Sequence, residues 1–153
     1  MTPPEPTAEH RWLTRLVGTW TFASEPIAGQ TMEEMAGTET FRALGALWVQ
    51  GETVGDGYVN QMTLGFDPAT GRFVGTFLAS VMTHLWRYDG ALDTDGQRLV
   101  LESVGPSMSD DGAMVLYRDE IVLLGPDERL LQSSFAAPDG SWTLFMRIRY
   151  RRA

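Results

Sequence analysis

The chain of 153 residues contains no cysteine and no lysine, and its only histidines are His10 and His84. Without Cys there is no disulfide, no thiolate nucleophile, no iron–sulfur ligation and no cysteine-based zinc site. Two histidines also rule out a three-histidine zinc centre, so no metal is expected. The absence of Lys removes Schiff-base and pyridoxal-phosphate chemistry of the lysine type. All 12 basic residues are Arg, against 20 acids, for a net charge of −8. A field of that sign repels phosphate backbones, and the one basic run is Arg147, Arg149, Arg151 and Arg152; no nucleic-acid partner is expected. No stretch approaches 18 apolar residues, and MTPPEPTAEH is proline-rich and acidic where a signal peptide would be basic and then apolar. No membrane partner and a cytoplasmic location are expected.

What is present is an ordinary globular composition, 43% hydrophobic and 21% charged, with 16 glycines spread between short apolar stretches. One domain over residues 8–153 follows, after a disordered leader at residues 1–7. Thr7 is placed to cap a helix from Ala8 to Leu16 that carries Trp12, Leu13 and Leu16 on one face. A helix that short is marginal alone and must lean on a sheet.

The stretch from Asn60 to Leu92 has the clearest pattern. Met62, Leu64 and Phe66 alternate with polar residues, then Phe73, Phe77 and Ala79, then His84, Trp86 and Tyr88, which is the period of strands. Asp67-Pro68-Ala69-Thr70-Gly71 is a hairpin signal, with Pro presetting φ and Gly supplying a positive φ. The same grammar through the rest of the chain predicts ten strands: 17–24, 32–44, 47–54, 58–66, 73–79, 83–92, 98–104, 113–124, 129–136 and 142–151. Short links favour an up-and-down antiparallel meander, and ten strands are enough for closure, which removes both edges. The expected fold is all-β, a single lipocalin-like barrel closed at one end by the N-terminal helix.

Gly18-Thr19-Trp20 resembles the Gly-x-Trp signature of lipocalins and related calycins, in which the Trp plugs the closed end. The series WLTRLVGTW, GTETFRALGALWVQGE, MTLGFDPATGRFVGTF, SVMTHLWRYDGALD, YRDE and DGSWTLFMRIRYRR, over Trp12 to Arg152, is similar to the bacterial family of uncharacterised proteins known as domain of unknown function 1579. The resemblance implies a calycin-like barrel, and no activity, substrate or catalytic residue with it. One departure is Val104-Gly105-Pro106, where the family pattern places an acid before Gly-Pro; if that acid lines the cavity, its role is missing here.

The candidate site residues are Glu39, Trp48, Glu52, Met62, His84, Trp86, Tyr88, Arg118 and Met146. His84, Trp86 and Tyr88 share a strand face and, turned inward, would bring an imidazole, an indole N–H and a phenol to a cavity. The competing reading makes Trp86 and Tyr88 core and His84 a rim residue. Glu39 and Glu52 are assigned to the interior, Glu52 together with Trp48; Glu102 is left unassigned. Arg118 is the natural partner for a buried carboxylate. Met62, Met82 and Met146 suit an adaptable apolar lining. In the last strand Trp142, Leu144, Met146, Ile148 and Tyr150 read as interior, Thr143, Phe145, Arg147, Arg149 and Arg151 as exterior, with one arginine over Trp20.

The leading function is binding of a small, mostly apolar or amphipathic molecule in the barrel, with no cofactor. Two other readings stay open: a cofactor-free isomerase, lyase or hydratase using His84 with Glu39, Glu52 or Arg118, and a structural or dimerising module with a filled barrel. A homodimer is compatible with each.

Overall fold

The computed structural model describes residues 1–153. One helix, α1 (Ala8–Thr14), precedes ten strands: β1 (Gly18–Ser24), β2 (Ala36–Leu44), β3 (Trp48–Gly55), β4 (Tyr58–Asp67), β5 (Arg72–Ala79), β6 (Trp86–Leu92), β7 (Arg98–Pro106), β8 (Met114–Leu123), β9 (Glu128–Ala136) and β10 (Trp142–Arg152). Each strand pairs antiparallel with the next, and β1 pairs with β10 through Trp20↔Arg152 and Phe22↔Tyr150, so the sheet closes into a barrel with no free edge.

Strand alternation decides what faces in. Val49, Gly51 and Thr53 of β3 are buried while Trp48, Gln50 and Val54 are exposed; Leu99, Leu101 and Ser103 of β7 are buried while Val104 is exposed. The end at which β1 begins is floored by α1, which packs against β3 and β4. Trp12, Leu13 and Leu16 join Phe41, Val49, Leu64, Phe73, Leu99, Leu101, Ile121 and Leu123 in one buried cluster. Leu16 lies beyond the last helical turn and is nevertheless fully buried.

Hydrogen bonds pin the floor in place. His10 Nδ1 accepts from the Thr7 backbone N–H at 2.9 Å, which leaves Nε2–H to donate to the Phe66 carbonyl at 3.0 Å. Trp12 Nε1–H reaches the Gly96 carbonyl at 2.6 Å, and Trp20 Nε1–H the Leu16 carbonyl at 2.8 Å. Trp20 is 0% exposed, with the Arg152 guanidinium 4.2 Å from its ring centre. Two arginines thus lie over Trp20, Arg152 and, from β9, Arg129 at 4.7 Å, and neither belongs to the exterior set Arg147, Arg149 and Arg151.

Two strand starts and one register differ from the sequence reading in ways that move candidate residues. Strand β2 begins at Ala36, since Met32 to Met35 belong to a loop, and β6 begins at Trp86, since the chain turns at Ser80-Val81 and runs irregularly to Leu85. His84 is therefore off the strand. In β10 the register shifts between Leu144 and Met146, so Met146 lies opposite Ser133 and Leu144 opposite Ser134. This bulge turns Trp142 and Leu144 outward and Phe145 inward, correcting the single-face reading of that strand.

Candidate functional site

Three charged side chains project into the barrel between its ends: Glu39, Arg129 and Asp119. Glu39 and Arg129, 6% and 2% exposed, form an ion pair through Oε1 and Nη2. Thr53 donates its hydroxyl to Glu39 Oε2 at 2.7 Å, so both carboxylate oxygens are engaged. The Arg129 guanidinium lies 3.8 Å from the Tyr150 ring centre and 4.7 Å from that of Trp20. Burial, and then the Glu39 charge, push the Tyr150 phenol well above its ordinary range, so it stays a neutral hydroxyl.

Asp119 has a different setting. Its cross-strand partner is Ser133, and it accepts from Ser133 Oγ at 2.6 Å and from the Tyr88 hydroxyl at 2.5 Å. No cation pairs with it. Burial raises its pKa above the ordinary 3.8, opposed by the two donated hydrogen bonds. Tyr88, buried beside that carboxylate, is raised well above 10 by desolvation and then by the Asp119 charge. Asp119 is nevertheless only half-buried.

Above this rung the wall is aromatic. Tyr117 lies opposite Phe135, two residues up from Asp119 and Ser133 respectively, or about 7 Å nearer the open end. Trp86 meets Tyr117 edge to face at 5.0 Å, Tyr117 meets Phe145 at 6.1 Å, and Phe145 meets Phe135 at 5.9 Å. Gly105 is where Trp86 lies flat on β7; a Cβ there would occupy the ring's space. Phe77, Trp86, Phe135, Phe145 and Met146 are all partly exposed, unlike the closed-end core. Val115, Tyr117 and Phe135, with Met108, Ala113 and Pro138, line a half-open depression of about 360 Å³ at the rim. The polar tips of this wall are engaged: Tyr117 donates to the Pro106 carbonyl at 2.6 Å and Trp86 Nε1–H points at Met82 Sδ at 3.0 Å. The buried Tyr58 hydroxyl has no partner, and burial raises its pKa.

The residues singled out in the sequence separate into three places. Glu39, Met62, Trp86, Tyr88 and Met146 face the interior. Trp48, Glu52 and Arg118 face out, which corrects the expectation that Glu52 lies inside with Trp48 and that Arg118 serves a buried carboxylate. Trp48 covers Gly65 of the neighbouring strand, where there is no side chain to displace it. Arg118 pairs with Glu102 at 3.2 Å and stacks 3.9 Å over Trp142, which the bulge has put on the same outer surface. His84 sits on the rim, 3.0 Å from the Val104 carbonyl through Nε2 and edge-on to Trp86 at 4.8 Å. Val104 itself is exposed, so an acid at that position would sit on the exterior.

The proposed acid–base partners are thus not brought together. Sequence reasoning left Asp119, Arg129, Ser133, Tyr58 and Phe145 out of the site. Asp119 had a usable signal, since it shares parity with Tyr117 and Ile121; Phe145 had none, because parity fails across a bulge.

A closed ten-stranded barrel, floored by a helix and lined toward its other end by accessible aromatics, defines the structural class. The chain belongs to the family described as protein of unknown function DUF1579, whose model matches residues 5–152. No curated protein is similar enough to count as a match. Among solved structures, the S-type phycobiliprotein lyase CPES of Guillardia theta is 19% identical with a TM-score of 0.56, covering 96% of this chain and 93% of that one. A redesigned β-barrel, mFAP1, bound to DFHBI is 16% identical with a TM-score of 0.41, covering 93% and 99%. No helix here is long and apolar enough to cross a membrane.

Proposed function

We propose that the barrel binds one small, mostly apolar molecule, entering through the end opposite α1. The observation that carries this reading is the unequal filling of the interior. Leu64 and Leu99 toward the closed end are 0% exposed, whereas Phe77, Trp86, Phe135, Phe145 and Met146, equally inward, are left partly exposed. Inward apolar surface left accessible costs about 25 cal/mol per Å², a cost that an occupant removes. Concave sites of this kind are apolar with a few placed polar groups, and here those are Asp119, Ser133 and the unpartnered Tyr58 hydroxyl. Of the residues first singled out, Met62, Trp86, Tyr88 and Met146 line or support this space, and Glu39 braces its floor.

The test is titration with the neutral dye N-phenyl-1-naphthylamine. The expected result is a blue-shifted, saturable emission increase with one site per chain and a matching change in tryptophan fluorescence. Absence of saturable uptake would overturn the reading.

A further inference from the structure

Resting on that reading, we infer that the ligand is a cationic amphiphile: an aromatic or aliphatic body carrying an ammonium group that docks on Asp119. The first support is the interior charge count. Glu39 and Arg129 neutralise each other, leaving Asp119 as the one carboxylate of the interior without a countercharge. Each Asp119 oxygen accepts one hydrogen bond from the protein and retains a lone pair, so what the site lacks is a donor with positive charge. A ligand carboxylate would meet that charge with like charge, and Arg129, whose Nε is left without a partner, is 2% exposed between the Trp20 and Tyr150 rings, out of a ligand's reach.

The second support is independent and lies at the mouth. The connections at the open end, residues 25–35, 56–57, 80–85, 107–113 and 137–141, carry Glu25, Glu33, Glu34, Asp56, Asp110, Asp111 and Asp139 and no arginine. Only Glu25 is paired, with Arg149. A rim of one sign concentrates the opposite ion at the entrance and steers it inward. Below the rim, the faces and edges of Trp86, Tyr117, Phe135 and Phe145 suit an aromatic body or an alkylammonium head in transit.

The groups facing Asp119 are Tyr88 from β6 and Ser133 from β9, with Tyr150 of β10 beyond Tyr88, while β7 contributes Leu101, directly opposite, which does not titrate. Burial holds both phenols neutral, and the other interior carboxylate, Glu39, is tied to Arg129 and Thr53 away from Asp119, so among the groups around the docking carboxylate only Asp119 itself gains a proton on acidification.

The experiment compares three probes of one shape, 1-naphthylmethylamine, 1-naphthalenemethanol and 1-naphthylacetate, by calorimetry on the full chain. The amine is expected to bind about tenfold more tightly than the alcohol, with the acid weakest. Asp119→Asn should bring amine and alcohol to parity. Should that variant fail to fold, the wild-type protein supplies the same test: the amine's advantage falls as Asp119 is protonated on acidification, while alcohol binding does not change. An acid that binds as tightly as the amine overturns the inference. So does an amine advantage indifferent to both Asp119→Asn and acidification. If the naphthyl series fails while N-phenyl-1-naphthylamine enters, the cation inference falls and the barrel reading stands; if neither enters, both fall.

Discussion

The two halves of the barrel are built from the same alternating strands and solve opposite problems. In the closed half the inward apolar groups are packed against one another. Leucines interlock under α1, Trp20 is held by Leu16, and a buried charge pair has both oxygens of Glu39 engaged. In the open half most inward rings are only partly buried, they touch in a chain around the wall, and a carboxylate is held by two hydroxyls with no countercharge. The difference teaches that a barrel's interior is not one environment: a helix on one end converts it into a core, and its absence at the other leaves a lumen.

The contrast can be broken most violently at the charge pair. Glu39→Ala strands Arg129 in the core and is expected to cost about 3–5 kcal/mol in urea denaturation, whereas replacing both partners by apolar residues of similar volume should recover most of that loss. Truncation sharpens it next. Leu99→Ala, in the packed half, should cost about 2–5 kcal/mol with its cavity unfilled, while Met146→Ala in the open half should cost about 1 kcal/mol or less, since its side chain is only partly buried. Equal losses would mean that the two halves are packed alike.

Acidification separates the halves in a third way. The pKa of Asp119 is raised on folding, so its stabilising contribution is fully present below the unfolded value near 3.8 and is lost as pH rises through the folded one. Asp119→Asn should therefore flatten the pH dependence of stability across that window, as read by denaturation at a series of pH values. The smallest effect is expected outside the barrel altogether. Arg72→Ala removes an exposed pair with Asp89 at 2.9 Å, and the change should stay within about 1 kcal/mol and vanish in high salt.

The floor, the meander and the closed end were legible in the sequence because they rest on local signals. Thr7 before an apolar helix face, Asp-Pro-x-x-Gly between alternating strands, and Gly-x-Trp after the helix each state their structure within a few residues. The site was only partly legible. Parity along a strand gives two faces without saying which is inside, and where both carry apolar residues, as at Trp48 and Val49 of β3, the choice falls to a neighbour: Gly65 provides room for an indole on the outside. Where a bulge intervenes, as between Leu144 and Met146, parity itself changes, and Trp142 trades places with Phe145. His84 was drawn into a strand face by its spacing from Trp86, but the chain turns before reaching it.

What the sequence alone determined is the inventory and the architecture: no thiol, no lysine, an acidic chain, and ten short alternating segments joined by turns too tight for anything but an antiparallel meander. Which carboxylates are buried, which arginine answers Glu39, and which ring lines the lumen were decided by the closure of the sheet. Closure brings β9 and β10 against β1 and β2, and so places Arg129 beside a glutamate 90 residues away in the chain. No local pattern encodes a contact of that separation, because it depends on strand count, register and one bulge acting together.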